Sequence, residues 1–337
     1  MIKKYFKYEL KKAIWPTIIL TILGILIYIP ILASSNFVRD VYYNPKTNIG
    51  TITTFLAIVC TVVPIYEFRF LMKKRSIDQL YSLPIKRESL ILCKLVAGYL
   101  KILIAYSIAF FLGLLVIIMK GHSFNLQYYI PLFFMSIIFG LFLYGFNCFI
   151  FSRANTIIDG IIFIFFYIFA VFLIILFVLV FLEKLVLIEN IDYYYFGFSY
   201  SPLVLINNYY DSLIAASDFF PKNYDNNWIS YVIWIIVGIT SFVGIYISPK
   251  YDKAERAEQI SNSYFGYSVI IPVYLFLLIF VFEINPFRQP YQIMIIALLF
   301  GASIIGYIIY LRTFKLKLKY WIIVAIIVIV GIIASIL

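Results

Sequence analysis

Few residues in this chain of 337 have the type and spacing to carry chemistry. The single histidine, His122, stands in a short loop, where an imidazole is ordinarily solvated. The three cysteines, Cys60, Cys93 and Cys148, fall in or beside apolar runs without regular spacing. Neither a disulfide framework nor a zinc site follows from them. Asp159 is the main charge inside an apolar run. It sits two residues into a predicted helix, where an anion complements the helix N-terminus, and Arg153 is near enough to pair with it. Glu67 and Arg69 close another run. There is no H-E-x-x-H and no carboxylate pair at the middle of a run. A membrane-embedded enzyme acting on a lipid-linked substrate would need convergent acids, histidines or metal ligands. A secondary carrier driven by protons would need ionisable groups at mid-membrane and matching broken helices in two halves. Both stay open as alternative functions, although no internal repeat is visible.

The elements that must position these residues follow from composition. Apolar residues make up 64% of the chain, charged ones 13%, and the mean hydropathy is +1.00. Soluble domains have roughly a quarter charged residues, so a secreted enzyme, a disordered chain and a soluble two-domain fold are excluded. A membrane β-barrel would alternate apolar and polar residues. Here long apolar runs such as Ile157–Leu182 can cross a hydrocarbon core of about 30 Å, and in lipid such a run must be a helix. The expected fold is an all-α polytopic integral membrane protein with about nine transmembrane helices. They fall at roughly 14–33, 49–70, 95–119, 128–151, 157–182, 228–248, 265–283, 292–311 and 320–337. The seventh contains Pro272.

Lysine and arginine set the orientation. With the N-terminus cytoplasmic, only Arg39, Lys46, Lys120, Lys184, Lys222 and Arg288 lie outside. The formal net charge of +11 is then a topology signal, and no nucleic-acid partner is expected. The N-terminal apolar stretch is too long for a signal-peptide core and is read as an uncleaved first span. In residues 1–13, Ile2, Tyr5, Phe6, Leu10 and Ala13 share one helical face opposite Lys3, Lys4, Lys7 and Lys11. This predicts an interfacial helix with its lysines towards anionic headgroups. The largest outside loop, 183–227, is acidic and rich in tyrosine and phenylalanine, which reads as an interfacial belt.

The cytosolic loop 71–94 is the most structured connector. Ser76 with Gln79 makes a capping box, and Pro84 stops the short helix near Leu83. Ile77, Leu80 and Tyr81 share its apolar side, offered to a partner. A second helix starts near Lys86 and runs into the third span.

At these residues the chain resembles the permease subunits of bacterial type-2 ABC transporters. Tyr5-Phe6-Lys7-Tyr8-Glu9-Leu10-Lys11-Lys12 is similar to the family's elbow helix. Lys74–Arg87 resembles its pattern of a charged start, a short helix and Leu83-Pro84-Ile85 before a basic pair, with Lys94 opening the third span. Lys250–Glu258 looks like the charged segment of a Gram-positive subgroup. The resemblance covers residues 1–260, and the chain departs from it by adding two or three spans.

The resemblance implies an elbow helix over 1–13, a six-helix permease core over 14–248, a charged linker over 249–264 and additional helices over 265–337. It implies a coupling helix in loop 71–94 that docks on an ATPase through Arg75, Ser76, Ile77, Asp78, Leu80, Tyr81, Leu83, Pro84, Lys86 and Arg87. The sequence has no G-x-x-x-x-G-K-[ST] phosphate loop. ATP and magnesium would therefore be bound by two copies of a separate ATPase subunit, with no cofactor in this chain. A second copy of the permease or a paralogue completes the assembly in a bacterial plasma membrane. The expected function is ATP-driven export of an amphipathic substrate, such as an antimicrobial peptide, a lipid-like compound or a drug, with a link to antibiotic resistance.

Overall fold

Apolar runs in lipid have to satisfy their own backbone hydrogen bonds, and the described part of the chain does so with helices. The computed structural model describes residues 2–34, 46–119, 126–185, 205, 206, 209, 228–248, 257–259, 261, 265–284 and 291–336. The helices are α1 (Ile2–Ser34), α2 (Lys46–Phe68), α3 (Lys74–Tyr81), α4 (Arg87–Met119), α5 (Leu126–Ser152), α6 (Ile157–Lys184), α7 (Trp228–Ile247), α8 (Tyr267–Val281), α9 (Gln292–Leu311) and α10 (Leu318–Ile336). A 3-10 turn, Arg69–Met72, joins α2 to α3. Among the described residues there is no strand. His122, the tyrosine cluster of loop 183–227 and most of linker 249–264 lie outside the described residues.

Eight of these helices are long and apolar enough to cross a membrane, so the protein is a multi-pass membrane protein. The seventh expected span is the exception. It forms the 15-residue α8, about 22 Å long at 1.5 Å per residue, short of a hydrocarbon core of about 30 Å. A second difference is at the N-terminus. The interfacial helix expected over 1–13 and the first span are one continuous helix, α1, with Pro16 inside it. A buried stripe explains the continuity: Tyr5, Glu9, Ala13 and Thr17 recur every four residues and all pack inward. Lys3, Lys4, Lys7 and Lys11 remain exposed.

The chain divides into two units. The first, residues 1–152 with 201–254, contains α1–α5 and α7. Here α1 lies along α4, and α2 packs on α4 and α5. Without a hydrophobic drive between helices in lipid, small residues that admit close approach decide such packing. Tyr28 of α1 fills the space that Gly113 of α4 leaves, and Phe55 of α2 does the same at Gly24 of α1. α5 and α7 interlock in both directions. Phe242 of α7 sits on Gly145 of α5, while Phe142 and Phe149 of α5 sit on Gly238 and Gly244 of α7. The Asn147 side-chain amide donates to the Cys60 carbonyl at 2.9 Å, tying α5 to α2.

The second unit, residues 153–200 with 255–337, contains α6 and α8–α10. The fifth span thus packs with the C-terminal helices. Thr156 caps α6, its hydroxyl oxygen accepting from the Asp159 N–H at 3.2 Å. The Asp159 carboxylate accepts from the hydroxyls of Ser261 at 2.8 Å and Tyr267 at 3.0 Å. α8 starts beside this end of α6 and runs parallel to it, with the Phe280 ring tilted against that of Phe177 at 4.7 Å between centroids. α9 returns, and Tyr310 near its end meets Tyr267 at 5.3 Å. α10 then runs back along the first direction. The Lys184 ammonium at the end of α6 donates to the Ser335 carbonyl at 2.7 Å.

Gly145 and Gly301 make a paired test of close packing. A Cβ at Gly145 would stand 2.5 Å from the Phe242 ring, whereas one at Gly301 would meet nothing within 4 Å. Gly145→Leu should cost about 1–3 kcal/mol through overpacking. Gly301→Leu should be neutral or slightly stabilising, because leucine is the better helix former. Thermal unfolding of the purified protein, followed by loss of the monodisperse size-exclusion peak, measures both.

Candidate functional site

The connector between α2 and α4 is built from its buried residues outward. Phe70 and Met72 of the 3-10 turn are 7% and 2% exposed, and they plug the chain into the bundle. Lys73 then turns to extended backbone, and α3 begins at Lys74. The capping box expected at Ser76 and Gln79 does not form. The residue before α3 is Lys73, with no side-chain cap, and Ser76 is already the third residue of the helix, its N–H donating to the Lys73 carbonyl at 3.0 Å. Two residues after α3 closes at Tyr81, Leu83 and Ile85 make a tight turn around Pro84, and α4 begins at Arg87.

The expected docking residues divide by exposure. Ile77 is 3% exposed and faces the protein's own interior. Its side chain is therefore an anchor for α3 and is not offered outward. A helix of two turns has no other means of burying an apolar face in a single subunit. Ser76, Leu80, Tyr81 and Leu83 are half-buried. Arg75, Asp78, Pro84, Lys86 and Arg87 are exposed. The Arg87 guanidinium also lies over the Tyr81 ring at 4.4 Å, a cation–π contact that links α3 to α4.

Beside α3 the structure brings together groups that the sequence reading left apart. Lys94 and Lys101 lie seven residues apart on α4, so they point to one side two turns apart. Lys94 pairs with Glu9 of α1 at 3.0 Å, and Lys101 pairs with Glu67 of α2. All four side chains are 6% exposed or less. The Tyr5 hydroxyl donates to the same Glu9 carboxylate at 2.8 Å. Phe70 lies 5.1 Å from the Lys94 ammonium and Tyr66 lies 5.2 Å from that of Lys101. The pairs border a cavity of about 410 Å³, open on one side and also lined by Lys12, Arg69 and Lys73. Ser76, Gln79 and Leu80 of α3 form part of the wall. Among the described residues no cluster of histidine, cysteine and carboxylate could hold a metal ion. The chemistry available here is electrostatic anchoring and anion binding.

A family model described as ABC-2 family transporter protein matches residues 72–283. The chain belongs to this family. It is a membrane permease of the ABC transporter class, as the resemblance to type-2 permeases implied. Among the curated proteins none matches the chain. The match runs from Met72 through α8, where the sequence resemblance ran from residue 1 to 260. In this ABC-2 permease both buried lysines come from the matched region and both buried acids from the helices before it. In the sequence Lys94 reads as the lysine that opens the third span, and Lys101, close by, as a charge on the cytosolic side. Their spacing within one face of an apolar run was the available sign that they needed partners.

Removing one partner of a buried pair strands the other charge and costs about 3–5 kcal/mol, whereas removing both is much milder. Glu67→Gln should therefore lower the unfolding temperature of the purified permease by several degrees. Glu67→Gln combined with Lys101→Met should recover most of that loss. Equal destabilisation in the single and double variants would show that Glu67 acts through packing alone.

Proposed function

We propose that this permease is the transport half of an ATP-driven exporter, worked by a separate ATPase subunit that contacts the exposed side of α3. The observation that carries the reading is the family match across a connector whose short helix is anchored inward by Ile77 and polar outward. The sequence has no phosphate-binding loop, which supports hydrolysis on another polypeptide, with ATP and magnesium bound there. Two ATPase copies and a second permease copy or paralogue would complete the complex. The cargo fits an amphipathic molecule, because the spans offer apolar and aromatic surface with very few charges. Antimicrobial peptides, lipid-like compounds and hydrophobic drugs share that character, and their removal would serve antibiotic resistance. The lysine and arginine distribution supports a cytoplasmic N-terminus and a cytoplasmic α3 in a bacterial plasma membrane.

Reversing the outward charges of α3 tests the contact without disturbing its anchor. Arg75→Glu with Asp78→Lys should reduce ATPase co-purification and cargo-stimulated hydrolysis at least about fivefold, since mismatched charges at an interface cost of order 1 kcal/mol or more. The permease should still insert. Unchanged co-purification and stimulation would move the contact elsewhere, with Arg153–Thr156 and 249–263 next to be tried. Orientation has its own measurement. On a background with Cys60, Cys93 and Cys148 changed to alanine, an impermeant thiol reagent applied to intact cells should label Leu185→Cys and leave Lys74→Cys untouched. The opposite pattern would reverse the topology.

A further inference from the structure

The cavity beside α3 does not end at its ion pairs. Lys101 also lines a second cavity of about 400 Å³, an open groove between α1 and α4. The wall of this groove is apolar from Leu10 to Ile22 on α1, interrupted only by Thr17 and Thr21, and it includes Ala97, Ile104 and Ile108 on α4. From Leu10 to Ile22 is a rise of twelve residues, about 18 Å of helix at 1.5 Å per residue. The two cavities meet at Lys101 and overlap along the same pair of helices, and the apolar one reaches farther along both, to Ile22 and Ile108.

The charge of the polar cavity is not balanced. Glu9 and Glu67 are engaged by Lys94 and Lys101. Lys12, Arg69 and Lys73 add three further positive charges to its lining, all on exposed side chains. None of the three has a carboxylate within 4.0 Å among the described residues. The Tyr8 and Ser76 hydroxyls and the Gln79 amide supply hydrogen-bond donors on the same lining. A ligand that suits both parts has a phosphate-bearing anionic head and a long hydrocarbon tail.

We propose that α1 and α4 hold an anionic glycerophospholipid, its headgroup phosphate in the cavity of Lys12, Arg69 and Lys73 and an acyl chain in the groove beyond Lys101. The membrane supplies this ligand at high local concentration, and basic residues at its surface attract anionic lipids. The apolar groove adds burial of hydrocarbon, which surface charge alone does not give. The site goes beyond the transport reading, since it needs only a membrane around the protein and no ATPase. It differs from the exposed lysines Lys3, Lys4, Lys7 and Lys11 of α1. Those lie on the helix face away from the buried stripe and line neither cavity.

Native mass spectrometry of the intact permease tests the site. The protein is released into detergent from vesicles of equal parts phosphatidylglycerol and phosphatidylcholine. The expected result is one retained phosphatidylglycerol and little phosphatidylcholine. Neutralising the cavity with Lys12→Gln, Arg69→Gln and Lys73→Gln together should cut that retention at least about tenfold. Thr21→Trp fills the groove without changing charge and should cut it similarly, with Ile18→Trp as the second groove variant should the first be misfolded. Lys4→Gln with Lys7→Gln and Lys11→Gln removes the same number of charges outside the cavity and should retain the lipid as wild type does. The proposal is overturned if the cavity set has no effect, if both folded groove variants retain the lipid, if the Lys4, Lys7 and Lys11 set loses it equally, or if phosphatidylcholine is held as well. Size-exclusion profiles establish that each variant is folded.

Discussion

An ammonium group taken out of water costs several kcal/mol, and a carboxylate in good geometry is what offsets it. α4 carries two such groups on one side, and their partners come from two different helices. Glu9 reaches across from α1 and Glu67 from the end of α2. Neither helix can slide along α4 by a turn without stranding a charge. The end of the first unit near α3 is therefore fixed in register by electrostatics. Farther along, the register is set by shape, with Tyr28 against Gly113 and Phe55 against Gly24. These two constraints act on the same helices, so α1, α2 and α4 form a three-helix element specified at both ends.

That arrangement bears on how motion at α3 would travel. α3 is joined to α4 by five residues, Ser82 to Lys86, and the Tyr81–Arg87 contact shortens the mechanical link. It is joined to α2 by a 3-10 turn whose Phe70 and Met72 are buried. Ile77 ties it to the same interior. On the proposed reading, a partner pressing on the polar side of α3 would move a helix with little freedom of its own. The displacement would pass to α2 and α4 together, and through Lys94 to Glu9 on α1. A chain lacking the two ion pairs could answer the same push by shearing one helix past another. In this respect the pairs matter more for the specificity of movement than for net stability, which buried pairs often fail to raise.

Much of this was legible in the residues. Spans of nearly uncharged sequence had to be helices, and they are, eight of them long enough to cross a membrane. The short helix before Leu83-Pro84-Ile85 was visible from the turn chemistry. What failed was local. Ser76 and Gln79 have the capping-box pattern, yet the burial of Phe70 and Met72 brings the chain into α3 three residues earlier, with Lys73 at the cap position, and tertiary burial outweighs a cap worth about 1 kcal/mol. Ile77 reads in the sequence as part of a surface for a partner because a sequence does not say which side of an amphipathic helix its own chain already covers, whereas Leu80 and Tyr81 beside it are only half-buried. Glu9 stood among lysines and was passed over. Periodicity places it every fourth residue with Tyr5 and Ala13, but only the fold places Lys94 opposite. Distance in sequence, 85 residues for this pair, is what hid it.

The two units solve the problem of polar groups in an apolar bundle by different chemistry. The first uses charge against charge at one end, and the result is an excess of cations around a cavity that two acids cannot neutralise. The second uses neutral hydroxyls. Asp159 is met by Ser261 and Tyr267, and the Tyr167 and Tyr274 hydroxyls reach the Phe265 and Phe166 carbonyls. A hydroxyl both donates and accepts, so such contacts satisfy backbone and carboxylate without adding net charge. α8 is too short to present a full turn of polar residues beyond the hydrocarbon at both ends, and tyrosine suits it. The ring contributes to apolar packing while the oxygen meets a polar atom of the next helix. An anion entering the first unit therefore meets cationic groups in excess at one end, whereas in the second unit Asp159 and the hydroxyls of Ser261 and Tyr267 are already engaged with one another.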